Sequence, residues 1–299
     1  MSDNINKDVH DKDGVTKVTL AKTAGFCFGV KRAVDMVYSE SEKSDCVYTY
    51  GPIIHNQEVV ASLEQRGVHV IEKIDDVVNN NASVVIRSHG VPRKIYEACE
   101  EKGISIIDAT CPFVKKIHKI VEKHFNDGEQ IVIIGSDNHP EVEGIKGWCE
   151  GAVVIENKED VIKLEKFSNN KLCVVSQTTF NYTKFKELVE IIEEKGYNID
   201  VLNTICNATE ERQTEASELA SKSDTMIVVG DKHSSNTQKL YGICKNKCDN
   251  TLFIQTLDDL LPDISGLTGS VGITAGASTP NNIIEEVYTK CQTLVLHNY

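Results

Sequence analysis

Three cysteines in this chain share their surroundings, and the match points to shared chemistry. Cys27 lies in "GFCFGV", Cys111 in "DATCPF" and Cys206 in "NTICNA", each after a short β-branched run and before a helical pattern. Twenty-four residues after each cysteine stands a glycine: Gly51, Gly135 and Gly230. Twenty-eight residues after each stands a polar residue: His55, His139 and Ser234. A cysteine opening a helix feels the positive end of the helix dipole, which favours the thiolate that metals bind. Three such thiols brought to one point form a sulfur-rich centre for a soft metal. Zinc fits such a set. A [4Fe–4S] cluster is the more productive occupant, because the usual cluster takes four cysteines and one held by three leaves an iron free for substrate.

Around the same point the pattern places hydrogen-bond donors. His89 in "RSHGV", Thr178 in "QTT" and Ser278 in "GASTP" end further β-branched runs. Ser235 and Asn236 follow Ser234 at the start of another helical stretch. With His55 and His139 they suit a phosphate or diphosphate, which is bound by side-chain donors and by backbone N–H groups ahead of a helix. No Walker-type glycine–lysine loop is present, so ATP hydrolysis is not indicated. Glu141, in "HPEVEG", holds the same position after Cys111 that Asn236 holds after Cys206. A carboxyl there suits a general acid, with Glu143 as the neighbouring alternative. The other seven cysteines read as core or surface residues.

The elements that must position these residues alternate in type. The runs "KVTLA", "CVYTYG", "VHVIE" and "SVVIRS" form one set, "ISIID", "QIVIIG", "AVVIE" and "LCVVSQ" a second, "NIDVLN", "TMIVVG", "TLFIQT" and "SVGITA" a third. Amphipathic stretches such as "VKKIHKIVEKHF" separate them. This alternation predicts parallel sheets covered by helices, the α/β class. Three sets predict three similar units, 15–102, 103–196 and 197–299, arranged with pseudo-threefold symmetry about a central cavity into which the strand carboxyl ends point. The polar residues 1–14 read as a disordered tail without the apolar core of a signal peptide.

Bulk properties narrow the function further. The chain has 32 basic and 45 acidic residues, a net charge of −13, which argues against non-specific binding to nucleic acid but not against a local anion pocket. No apolar run is long enough to span a membrane. Ten cysteines without a secretory signal indicate a reducing, cytoplasmic setting, where thiols serve as core, ligands or catalysts.

The set "GFCFGVKRA", "IHN", "SHGV", "DATCP", "HPEVEG", "QTT", "SSN" and "TAGAS" resembles the LytB family of 4-hydroxy-3-methylbut-2-enyl diphosphate reductases, in the family's order, over nearly the whole chain after about residue 17. The resemblance implies three α/β domains around an oxygen-sensitive [4Fe–4S] cluster held by Cys27, Cys111 and Cys206. It implies diphosphate binding by His55, His89, His139, Ser234, Ser235, Asn236 and Ser278. Thr178 would position the substrate hydroxyl, and Glu141 would donate the proton. The implied reaction removes the allylic hydroxyl as water, with two electrons and two protons, to give isopentenyl and dimethylallyl diphosphate in the last step of the non-mevalonate isoprenoid route. Ferredoxin or flavodoxin is the implied electron donor.

Two rivals share the cysteines. A three-cysteine cluster dehydratase or lyase, resembling quinolinate synthase, loses water without needing a reductant. A cluster-bearing redox sensor needs neither the three histidines nor the glutamate.

Overall fold

Where β-branched residues run without interruption, the backbone is extended and both faces are covered. The computed structural model describes residues 14–44, 46–78, 82–167 and 169–296, so the tail expected at 1–14 lies outside them apart from Gly14. Among the described residues there are twelve strands. They are β1 (Val15–Leu20), β2 (Val47–Tyr50), β3 (Val68–Ile71), β4 (Ser83–Ile86), β5 (Ser105–Asp108), β6 (Gln130–Ile134), β7 (Val153–Ile155), β8 (Leu172–Ser176), β9 (Ile199–Val201), β10 (Thr225–Val229), β11 (Thr251–Ile254) and β12 (Gly269–Ala275). The α-helices are α1 (Phe28–Ser41), α2 (Gln57–Glu64), α3 (Arg93–Glu101), α4 (Pro112–Asn126), α5 (Pro140–Lys146), α6 (Tyr182–Glu194), α7 (Asn207–Ala220), α8 (Ser235–Lys245), α9 (Leu257–Leu260) and α10 (Asn281–Leu296). Every residue of β4, β8 and β10 is buried, as expected of parallel strands sandwiched between helices.

The strands form three four-stranded sheets, ordered β3-β2-β4-β5, β7-β6-β8-β9 and β11-β10-β12-β1, and all their pairings are parallel. The order is the same three times, which bears out the α/β class and the threefold repetition. The edge strand of each sheet has an unexpected origin. β5, β9 and β1 each lead into one of the three cysteines, and the spacing assigns them to the unit that follows. Each instead pairs with the last strand of the unit before it: β5 with β4, β9 with β8, and β1 with β12. The divisions of the chain at 102/103 and 196/197 therefore do not coincide with the divisions between sheets.

This exchange places the cysteines at the seams. Each cysteine leaves the sheet of one unit and opens a helix that packs in the next. Ala33, Val34 and Val37 of α1, for example, join Val47, Ile53 and Val85 in the core around β2 and β4. No helix among the described residues is long and apolar enough to cross a membrane.

Candidate active site

The three seams are built alike. Cys27, Cys111 and Cys206 are the N-cap residues of α1, α4 and α7. The amide of each donates across the seam to a carbonyl in the loop after the last strand of the preceding unit: Cys27 to Ala277 (3.3 Å), Cys111 to Ser88 (2.9 Å) and Cys206 to Thr178 (3.1 Å). The thiols converge on a single cavity that Gly29, His89, Glu141 and Thr178 also line. Gly29 is part of this convergence, because a Cβ at that position would stand 2.5 Å from Cys111 Sγ.

Burial sets the thiol acidity. Cys111 is pushed up to about 11, with the N–H groups of Phe113 and Val114 and the other two cysteines acting as smaller influences of opposite sign. Burial also raises Cys206, against the N–H groups of Ala208 and Thr209. At Cys111 and Cys206 the helix amides favour the thiolate, as expected of helix N-termini, but desolvation outweighs them. A soft metal, whose own charge deprotonates a coordinating thiol outright, suits such a site. Three thiols on one cavity fit a cluster with one iron not held by protein.

A second chamber adjoins the first, sharing Val30, Ser88, His89, Thr179 and Ala277 as common walls. Its walls are His55, His139, Ser234, Ser235, Asn236 and Ser278. All the donors expected from the sequence therefore meet there except Thr178, which lines the thiol end alone. The imidazole centroids of His55 and His89 are 4.9 Å apart, those of His89 and His139 5.5 Å, and those of His55 and His139 6.1 Å. Burial first of all drives all three pKa values down, His139 to about 3.

Several polar atoms of this chamber have no partner within the protein: His55 Nε2, His89 Nδ1 and Asn236 Nδ2. Buried polar atoms without partners are rare, and a cluster of them marks a place for a polar ligand. The three histidines also have nitrogens close enough to share a metal ion, within 4.8 Å of one another. The tautomer of His139 argues against that use. Its Nδ1 caps α5 by accepting the N–H of Glu141 at 3.1 Å, so the neutral ring carries its proton on Nε2. His139 is then a donor, which suits an anion. Ser234 caps α8, accepting from the Thr237 amide at 3.4 Å, so this helix presents its N-terminus to the same chamber.

Glu141 is 1% exposed and accepts from Thr178 twice, from N–H at 2.6 Å and from Oγ1–H at 2.7 Å. Burial raises its pKa, and the bonds from Thr178 together with the charge of Lys239 pull it back. The equivalence of Glu141 and Asn236 is visible in these bonds. Asn236 Oδ1 accepts the Ala277 amide at 3.0 Å, as Glu141 accepts the Thr178 amide. Ala277 and Thr178 are in turn the residues whose carbonyls take the cysteine amides. Thr178 thus corresponds to Ala277 and Ser88, and it is Thr179 that stands in the place of His89 and Ser278. The strand-end register given by the sequence pattern falls one residue short in this unit.

Sequence spacing missed two buried cations, Arg87 and Arg212, and a half-buried one, Lys239. Lys239 Nζ donates to Ser235 Oγ at 2.8 Å, and burial lowers its pKa to about 8. The Arg87 side chain is buried against Gly51, at the start of the turn that carries His55. Arg212 lies six residues beyond Cys206 in α7. A basic residue shortly before or after a motif residue is the one signal the sequence offers for them.

The fold and the cavity together define an α/β protein of three repeated units built around a thiol centre. The LytB protein family model matches residues 18–292, and the chain belongs to that family. It is 46% identical over 282 residues to the 4-hydroxy-3-methylbut-2-enyl diphosphate reductase of Caldanaerobacter subterraneus subsp. tengcongensis, covering 93% of this chain and 97% of that protein. The enzyme of the same name from Clostridioides difficile is 46% identical, with 93% and 99% covered. Among solved structures, the E-1-hydroxy-2-methyl-but-2-enyl-4-diphosphate reductase of Plasmodium falciparum superposes with a TM-score of 0.88 at 31% identity, over 92% of this chain and 87% of that one. A second structure, of an (E)-4-hydroxy-3-methyl-but-2-enyl diphosphate reductase described as the terminal enzyme of the non-mevalonate pathway, gives 0.68 at 41% identity, over 93% and 99%. The family is one of iron–sulfur enzymes.

Proposed function

We propose that this protein reduces 4-hydroxy-3-methylbut-2-enyl diphosphate to isopentenyl and dimethylallyl diphosphate. Two electrons and two protons enter, the allylic C–O bond breaks, one C–H bond forms and water leaves. The observation that carries the reading is a pair of adjoining chambers with shared walls, thiols lining one, polar atoms without protein partners in the other and the Glu141–Thr178 pair on the thiol side. Cys27, Cys111 and Cys206 would hold one [4Fe–4S] cluster, which when bound supplies electrons and Lewis acidity next to the substrate hydroxyl.

The chain's own residues supply the rest. His55, His89, His139, Ser234, Ser235, Asn236 and Ser278 bind the diphosphate, helped by the N-terminus of α8. Anchoring that end fixes the allylic hydroxyl at the other, where a positioned group gains most over a diffusing one. Thr178 Oγ1 orients the hydroxyl. Glu141, whose protonated form is favoured by burial, delivers the proton that makes water a leaving group. The walls exclude bulk water from this transfer. Electrons come from a small carrier protein, a ferredoxin or flavodoxin, and the setting is cytoplasmic. The lyase and sensor readings have no comparable support, since the relatives named above are reductases.

The test is anaerobic. Chemically reduced viologen is mixed with the holoenzyme, with and without 4-hydroxy-3-methylbut-2-enyl diphosphate, and the products are identified. Substrate-dependent viologen oxidation yielding both five-carbon diphosphates is expected. Conversion of substrate without consumption of reductant would favour the lyase.

A further inference from the structure

At one buried position α7 breaks with its two counterparts. Six residues after each N-cap cysteine the sequence has Ala33 in α1, Ile117 in α4 and Arg212 in α7. Ala33 and Ile117 are 0% and 1% exposed and lie in apolar cores, so packing at this position is served by a hydrophobe. Arg212 is equally buried, at 3%. A buried charge is expensive unless something compensates it.

Within the protein Arg212 is under-compensated. Its Nη1 donates to the carbonyl of Ala275 at 2.9 Å, at the end of β12, while Nε has no partner. The obvious counter-ion, Glu215 one turn along α7, is committed elsewhere. Its carboxylate accepts from Lys22 N–H (2.8 Å), Thr23 N–H (2.9 Å) and Thr23 Oγ1 (2.5 Å). Cys27 and Cys206 are among the groups whose charge acts on the Arg212 guanidinium, Cys27 ahead of Glu215. The bond to Ala275 also ties Arg212 to the segment whose Ala277 carbonyl holds the Cys27 amide. Arg212 therefore belongs to the helix that Cys206 opens and is bonded to the segment that Cys27 caps, which ties it to two of the three seams.

We infer that Arg212 is a positioning residue for the electron chemistry: a fixed, desolvated positive charge that raises the reduction potential of the group bound by Cys27, Cys111 and Cys206. The inference rests on the cluster reading above. Reduction adds negative charge to that group, and a cation in a low-dielectric setting stabilises the reduced state more than the oxidised one. Neither α1 nor α4 has a charged residue at this position.

The experiment is a dye-mediated potentiometric titration of anaerobically purified holoenzyme, with iron and sulfide determined on each sample. Wild type, Arg212→Gln and Arg212→Lys are compared at low and at high salt. Arg212→Gln is expected to keep its iron but to show a more negative potential. At a fixed poise its reduced-to-oxidised ratio should fall about tenfold, 59 mV for a one-electron couple. Arg212→Lys, which keeps the charge, should stay within about threefold of wild type, and the difference should persist at high salt because the charge is buried. An unchanged potential in Arg212→Gln, or equal shifts in both variants, would overturn the inference and leave Arg212 a packing residue. If Arg212→Gln does not retain iron, Arg212→Lys decides: a wild-type potential supports the role of charge and a negative shift refutes it. Wild type without iron and sulfide would instead defeat the cluster reading itself.

Discussion

Glu141 takes both of its hydrogen bonds from one residue: the N–H and the Oγ1–H of Thr178 close on its two carboxylate oxygens at 2.6 and 2.7 Å. The amide bond is structural, since its equivalent recurs between Asn236 and Ala277. The hydroxyl bond has no equivalent there, because Ala277 has no hydroxyl. What is special to this unit is thus a carboxyl joined to a hydroxyl, inside a cavity that elsewhere in the repeat carries an amide.

Replacing the acid while keeping its shape isolates the proton. Glu141→Gln can still accept the Thr178 amide, so its iron content should equal that of wild type. Turnover should fall about a hundredfold or more, the usual size of a general acid's contribution. Iron analysis alongside the viologen assay reads both, and undiminished turnover would remove Glu141 from the chemistry.

The Thr178 hydroxyl is separable from its amide. Thr178→Ser keeps both donors and should stay within about threefold of wild-type turnover. Thr178→Val keeps only the amide and should lose about tenfold or more, in line with one charge-assisted hydrogen bond. Equal rates for the two variants would assign Thr178 a purely structural role.

Gly29 tests the convergence of the thiols. A methyl group at this position would meet Cys111 Sγ at 2.5 Å, so Gly29→Ala should lower iron per chain sharply, as Cys111→Ser should. A methyl group at Gly242, in α8, would meet nothing within 4 Å, and Gly242→Ala should keep its iron and gain about 0.5–1 kcal/mol of stability. Iron content and thermal midpoints of the three variants check this together.

The histidine cradle predicts a pH dependence of stability. His139 has a folded pKa of about 3 against 6.5 unfolded, and His118, stacked on Trp148, about 4. The unfolded chain therefore takes up protons first as pH falls below about 6.5, and the stability that is fully present above that value is lost on the way down. Glu141, with its pKa raised by burial, contributes in the opposite sense: its share is present at low pH and lost as pH rises through its folded value. Between pH 7.5 and 5 the thermal midpoint of His139→Gln should thus fall less than that of wild type. Parallel profiles would show that His139 does not remain neutral in the fold.

Much of this architecture is legible from spacing. The intervals after Cys27, Cys111 and Cys206 mark three units because each unit repeats the same turn chemistry at the same strand ends, and the twelve β-branched runs all become strands. Sheet membership is not local in this way. Nothing in "ISIID" says whether β5 pairs forward or backward, since that choice depends on which partner strand reaches its edge. The one-residue offset between Thr178 and Thr179 has a similar origin: the repeat fixes where a strand ends only to within a residue, while the backbone bond from Cys206 picks Thr178 alone. Thiol acidity could be given the right contributions but not the right sum, because desolvation depends on neighbours far away in the chain. Arg87 and Arg212 look like ordinary surface cations until the fold buries them, and Lys239 until it is half-buried against Ser235.

The pairing of β1 with β12 closes the molecule into a ring in which the first strand and the last lie side by side in one sheet. The consequence is temporal. β1 is made first and waits for a partner that is made almost last, and until β12 and the Ala277 carbonyl exist, Cys27 has no seam to cap. A growing or prematurely ended chain can set two thiols in place but not the third. The cavity that all three seams line is therefore complete only once the last strand has joined the first.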